Sequence, residues 1–208
     1  MVLKLLKHPL TWMLAPFYLN DFGFAALQSY PTPFFFFDYF CRFWALSVLS
    51  WQIWKHRRFE WSDLRLQLSR RWIVWAVLAT VWGLLIDQKL TPALSLYLPQ
   101  LRLFQFPKPD SFALKFFDQS VGLALVAISE EFVFRGAILS WLEKSGVTRV
   151  RALLMQAGLF GLIHWGGGPT QVINATLWCI VPSIATLASR SIVPALVAHF
   201  VTDFVSFW

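Results

Sequence analysis

Hydrophobic positions along this chain come in long unbroken blocks instead of alternating with polar ones. Crossing the hydrocarbon core of a bilayer takes about 20 predominantly apolar residues. Blocks of that order lie at roughly 9–28, 34–54, 72–90, 116–142, 152–166, 171–189 and 191–208. The first is interrupted by Asn20 and Asp21, and the fifth and seventh are short. Between the third and fourth, "TPALSLYLPQLRLFQFPKPDSF" holds four prolines. It predicts an interfacial or re-entrant stretch, with room for an eighth short span near residues 91–106. The pattern therefore predicts an all-α fold: a polytopic membrane helical bundle with about seven or eight transmembrane spans. No internal repeat or separate soluble domain is visible, so residues 1–208 are expected to form a single integral membrane domain.

Composition supports that reading. The chain is 57% hydrophobic and only 14% charged, whereas a soluble domain carries about 25% charged residues. Twelve Trp and 21 Phe are more aromatics than one small aqueous core needs, and they suit lipid-facing helices and interfacial belts. The net charge of +7 is gathered at Lys4 and Lys7, across residues 55–71, and at Lys144, Arg149 and Arg151. These clusters fall between hydrophobic blocks, as cytoplasmic loops do, and form no continuous basic face for nucleic acid. The bilayer is the expected partner, and nucleic acid is not. With the loops at 55–71 and 143–151 inside, the N-terminus is inside, "HWGGGPT" is outside and Arg190 falls inside. Cys41 and Cys179 lie in apolar runs without metal-binding spacing, and both read as buried small hydrophobes. No cleavable signal peptide is evident at the start.

Polar residues within the blocks are few: Asp38, Arg42, Glu130, Glu131, Arg135, His164, Asn174, His199 and Asp203. Ionisable groups at membrane depth face the bundle interior or a wet cavity and find partners there. Asp38 and Arg42 are four apart, an i,i+4 ion pair that explains both as structural. Asn174 suits an ordinary interhelical hydrogen bond. Glu131 and Arg135 are also four apart and can pair. Glu130, about 100° further round the helix, is left without a cation on its own helix, which fits a general base. His164 is its natural partner. Glu130 stands 17 residues before Val147 and His164 stands 17 after it, so an antiparallel hairpin turning there brings the two to similar depth. His199 and Asp203 are four apart, which allows the carboxylate to orient the imidazole.

These residues also carry a resemblance. "SEEFVFRG" resembles the EExxxR motif of the CPBP family of intramembrane proteases, which includes the CAAX-processing endopeptidases. "FGLIH", Phe160 to His164, is similar to its FxxxH motif, and "SIVPALVAHFVTD" to its closing motif of a His followed four residues later by Asn or Asp. The resemblance covers about residues 115–208, a family-like catalytic core. It implies a helical membrane protein that hydrolyses peptide bonds by a glutamate-type, metal-independent mechanism. In that mechanism Glu130 activates water with His164, His199 and Asp203 stabilise the oxyanion, and Glu131 and Arg135 support them. Asp203 stands where an amide would donate, so its expected role is to orient His199. No cofactor is expected. Zinc is the rival, since Glu, His, His and Asp make an acceptable ligand set, although HExxH is absent.

The substrate expected is a membrane-associated protein or peptide, in a bacterial inner membrane. A flexible "GGGP" turn beside His164 would open the site outwards, which suits removal of a C-terminal sorting signal from an exported protein. The alternative is a non-enzymatic bacteriocin-immunity or membrane scaffold protein whose polar cluster serves packing. A transporter is disfavoured, because no paired broken helices occur in two halves.

Overall fold

The structure, a computed structural model, describes residues 9–56, 59–99 and 101–207. Among these residues there are helices and no strands. In chain order they are α1 (Pro9–Leu27), α2 (Pro31–Trp51), α3 (Trp72–Leu85), α4 (Thr91–Tyr97) and α5 (Phe112–Phe117). Then come α6 (Leu123–Glu131), α7 (Leu139–Lys144), α8 (Arg149–Leu162), α9 (Gly168–Ser189) and α10 (Val193–Phe207). Short π-helical turns at Ile86–Leu90, Asp118–Gly122 and Phe132–Ile138 splice α3 to α4, α5 to α6 and α6 to α7. The result is long rods that follow the hydrophobic blocks. Even the block broken by Asn20 and Asp21 is helical, because both side chains find buried partners.

Local chemistry sets where the rods begin and end. Pro31 occupies the first turn of α2, where its missing N–H costs nothing. Ser111 caps α5, its Oγ accepting from the Leu114 amide at 3.1 Å. After α7, Gly146 takes a φ of +80°, and the Val147 amide donates back to the Leu142 carbonyl at 3.1 Å. That left-handed closure turns the chain into α8. The stretch with room for an eighth short span, 91–106, is helical only at Thr91–Tyr97 among the described residues. α4 continues the rod of α3, and the described residues of 98–111 carry no helix. Pro99, Pro107 and Pro109 lack the N–H that a helix interior needs. The stretch instead crosses the end of the bundle, where Phe104 is buried against Phe24 and Phe34 and the Leu103 amide bonds the Gly166 carbonyl.

One end of the bundle collects the basic loops. Arg65 pairs with Glu143, Lys144 Nζ lies 2.8 Å from Asp63 Oδ1, and the Ile192 amide donates to the Arg65 carbonyl. The described residues around 60–67, 143–144 and 190–192, assigned to one side by charge, are thus at one end in space, while Lys4 and Lys7 of the N-terminal cluster lie outside the described residues. The loop at 55–71 is more than a solvated connection, since Phe59 and Leu64 insert into the core beneath the Phe132–Ile138 turn. At the other end, Gln28 accepts from the Gln105 amide, and Asp21 accepts from the Gly166 amide.

Inside, Met13 and Phe17 of α1, Val133, Phe134 and Ile138, Phe160 of α8 and Trp178 of α9 share one core. Outside, α3 shows Ile73, Val74, Val77, Leu78, Val81 and Leu85. Trp72–Tyr97 and Trp165–Ser189 are long and apolar enough to cross a membrane, and only 22% of the apolar window in the first is buried. The central helix of a water-soluble protein would be covered, so the medium that suits this face is lipid.

Helices α8 and α9 approach closely at Gly161, where an added Cβ would sit 1.9 Å from Thr176 Oγ1 and 2.6 Å from the Val172 carbonyl. Gly158, one turn earlier, has nothing within 4 Å. Gly161→Ala is expected to destabilise by about 1–3 kcal/mol through overpacking. Gly158→Ala should be neutral or stabilising by up to ~1 kcal/mol through helix propensity. Thermal midpoints of the two variants in detergent check this, and equal shifts would contradict the contact.

Candidate active site

Adjacent residues on a helix point about 100° apart, and the end of α6 uses that divergence. Glu130 faces α2, while Glu131 faces α10. Both are buried, Glu130 at 2% exposure and Glu131 at 0%. The π turn that follows immediately carries Arg135, also at 0%. A π turn inside a helix often marks a functional position, and here it holds the one cation of the rod's buried centre.

Glu131 and Arg135 pair as their spacing predicts, Nη1 to Oε1 at 2.9 Å. The same carboxylate oxygen meets His199 Nδ1 at 2.8 Å. Glu131 therefore fixes the imidazole's orientation, a task the sequence pattern assigned to Asp203. Asp203 stands at the opposite nitrogen, with Oδ2 3.4 Å from His199 Nε2. Glu130 Oε2 lies 3.8 Å from that nitrogen as well. An ionised carboxylate only accepts hydrogen bonds, so His199 Nδ1 donates to Glu131 and Nε2 is turned towards Asp203 and Glu130.

Glu130 has no cation on its own helix, as the spacing predicts, but it finds one on another helix. Its Oε1 is in an ion pair with Arg42 of α2. Sequence could assign Arg42 only to Asp38 on its own helix; that pair exists, at 3.0 Å, but the guanidinium has a second edge to offer. Asn20 of α1 donates to the same Asp38 oxygen at 2.7 Å. Glu130 Oε2, by contrast, is buried with no hydrogen-bond partner in the protein.

His164 sits just past the end of α8, half-buried, its Nδ1 2.9 Å from the Phe160 carbonyl. That bond makes Nδ1 the protonated nitrogen and leaves Nε2 as an acceptor. His164 makes no direct hydrogen bond or ion pair with Glu130. Phe160 lies beside both histidines, 5.0 Å from the His164 ring and 6.2 Å from the His199 ring. Phe160 also lies 4.4 Å under the Arg135 guanidinium, and the Trp178 ring is tilted against His199 with centroids 4.8 Å apart. The aromatic residue four before His164 thus forms a wall for the whole cluster. Nearby, Asp21 accepts from the Gly166 amide at 2.6 Å, and the Gly166 carbonyl accepts from Leu103. The turn expected to be flexible is pinned from both sides.

Asn174 makes the interhelical bonds expected of it, to Asp87 at 3.2 Å and to Thr91 at 2.6 Å. Cys41 and Cys179 are buried free thiols. Among the described residues no three His, Cys, Asp or Glu side chains are grouped so as to hold a metal ion. The Oε1 atoms of both glutamates are instead engaged by guanidinium groups. Residues missed as site contributors are Arg42, Asp38, Asn20 and Asp21. The available signal was that α6 and its π turn carry two carboxylates, Glu130 and Glu131, and one cation, Arg135.

Breaking one half of a buried pair leaves an uncompensated charge, at a cost of about 3–5 kcal/mol. Arg135→Met should destabilise by that order. Glu131→Gln combined with Arg135→Met should be less destabilised than Arg135→Met alone. Denaturation in detergent micelles, followed by intrinsic Trp fluorescence, measures both.

Residues 113–205 match the family model described as type II CAAX prenyl endopeptidase Rce1-like. No curated protein and no solved structure matches the chain. The matched region runs from α5 through most of α10 and includes Glu130, Glu131, Arg135, His164, His199 and Asp203, while Asn20, Asp38 and Arg42 precede it. Over residues 113–205 this chain therefore carries an Rce1-like domain of the CPBP family, a membrane-embedded family of CAAX-type endopeptidases.

Proposed function

We propose that the chain is an intramembrane endopeptidase in which Glu130 is the general base, acting on a water shared with His164. The observation that carries this reading is Glu130 Oε2, a buried carboxylate oxygen with no hydrogen-bond partner in the protein, held 3.8 Å from His199 Nε2. Such an atom is costly unless it has a water or a substrate to meet. In the proposed step, Glu130 Oε2 takes a proton from water as the water oxygen bonds to the scissile carbonyl carbon. The carbonyl oxygen becomes an oxyanion and accepts from His199 Nε2–H, oriented by Glu131 on its other nitrogen. The intermediate collapses with loss of the C–N bond, and the proton on Glu130 passes to the departing amine. The His164 Nε2 lone pair holds the water from the second side. Asp203, at His199 Nε2, keeps that N–H directed until the oxyanion forms.

The mechanism is proposed as metal-independent, because the two glutamates already neutralise their charge against Arg42 and Arg135. The substrate proposed is a membrane-associated protein or peptide. The narrower reading, removal of a C-terminal sorting signal from an exported protein, drew on a loose turn beside His164, and the ties at Gly166 remove that support. The basic loops gathered at one end suit the cytoplasmic face, in a bacterial inner membrane the setting expected from sequence. The non-enzymatic alternative makes the same cluster a packing device.

Glu130→Gln separates the two, since an amide fills the same space but is no base. Cleavage should fall by at least ~10²-fold, with the protein present at normal abundance. Mass spectrometry of membrane-protein termini, in cells carrying wild type or variant, should show a defined set of termini lost in the variant. Identical termini would leave the immunity or scaffold reading in its place.

A further inference from the structure

From the half of the chain that precedes the matched domain, Arg42 reaches the buried carboxylate Glu130. Arg42 lies on α2, is only 8% exposed, and grips Glu130 Oε1 through Nη1 while its Nε is held by Asp38 Oδ1 at 3.0 Å. Asp38 is in turn fixed by Asn20 of α1 at 2.7 Å. The Arg42 guanidinium also lies over the Phe17 ring, 5.4 Å from its centroid. The side chain is thus immobilised by two helices besides its own target. Its charge is directed at one oxygen of Glu130, and the other oxygen has no hydrogen-bond partner and lies 3.8 Å from His199 Nε2.

We infer that Arg42 is a positioning residue for the reaction proposed above, locking Glu130 by Oε1 so that Oε2 alone is presented to water, with Asp38 and Asn20 as its buttress. The inference rests on Glu130 being the base, and adds that the N-terminal helices complete the site. A carboxylate free to rotate would offer either oxygen in many directions. Gripping one oxygen from a fixed fork leaves a single geometry for the other, and misplacing a reacting group by about 1 Å costs on the order of 10²-fold. A lysine at this position keeps the charge but has no second fixed edge to engage Asp38 and Glu130 together. The alternative role, an Asp38–Arg42 pair that only stabilises α2, does not need the contact to Glu130.

The test compares Arg42→Gln, Arg42→Lys and Asn20→Ala with Glu130→Gln in the same cells, reading the termini that depend on Glu130. A synthetic peptide spanning one such terminus then gives kcat and KM with purified protein in detergent, and each variant's thermal midpoint is recorded alongside. Arg42→Gln should lower kcat by about 100-fold, with KM within about 3-fold. Arg42→Lys should recover stability fully but kcat only in part. Asn20→Ala, which touches Glu130 only through Asp38 and Arg42, should lower kcat by several-fold if Arg42→Gln proves too unstable to purify. Added to Glu130→Gln, Arg42→Gln should have no further effect on residual turnover, because it acts through that carboxylate. If Glu130→Gln loses the termini while Arg42→Gln and Asn20→Ala keep kcat within 2-fold, Arg42 is structural only and this inference falls alone. If Glu130→Gln keeps the termini, the base assignment falls and this inference falls with it.

Discussion

Buried charge must be neutralised where water cannot do it, and the interior of this bundle is arranged around that constraint. Asp38, Glu130 and Glu131 are all nearly inaccessible, and each meets a cation within hydrogen-bonding reach: Arg42 serves the first two and Arg135 the third. An ion left alone in such surroundings costs several kcal/mol even after relaxation. The pairs therefore do more than decorate the core. They dictate which helix lies against which: α2 must lie against α6 for Arg42 to reach Glu130, and α10 must lie against α6 for His199 to reach Glu131.

Aromatic side chains supply the walls that make this neutralisation directional. Phe160 supports the face of the Arg135 guanidinium and flanks two histidines, while Trp178 covers His199 from the next helix. These rings add cation–π attraction without adding acceptors that would compete for the polar hydrogens. Beneath them, Phe59 and Leu64 close the basic end of the bundle. At the opposite end, Asp21 and Leu103 hold the turn that presents His164. The cluster is thus enclosed by a hydrophobic plug at one end and tethered at the other, which gives its hydrogen bonds a low-dielectric setting.

Much of this was legible in the residue pattern, element by element. Blocks of apolar residues marked the rods, and proline and glycine marked several boundaries, because helix geometry depends on local backbone chemistry. Spacings of four placed Glu131 with Arg135 and Asp38 with Arg42, since i and i+4 share a helix face. The proline-rich segment was the exception: its apolar character allowed an eighth span, but missing N–H groups prevailed. Asn20 and Asp21 looked like flaws in the first block, because their compensating partners, Asp38 and the Gly166 amide, lie on other parts of the chain.

What the sequence alone determined was the all-helical character, the grouping of the basic loops and the short roster of polar residues that must meet in the interior. Those follow from periodicity, hydropathy and charge, all of which act over a few turns of chain. Tertiary structure decided the pairings between helices. It gave Glu130 a cation from α2, gave His199 its orienting carboxylate in Glu131, and left one oxygen of Glu130 without a hydrogen-bond partner. A guanidinium has several donor edges and a histidine two nitrogens, so spacing along one helix names a possible partner for each. Which partners are taken depends on which faces pack together, and that is settled by the whole core at once.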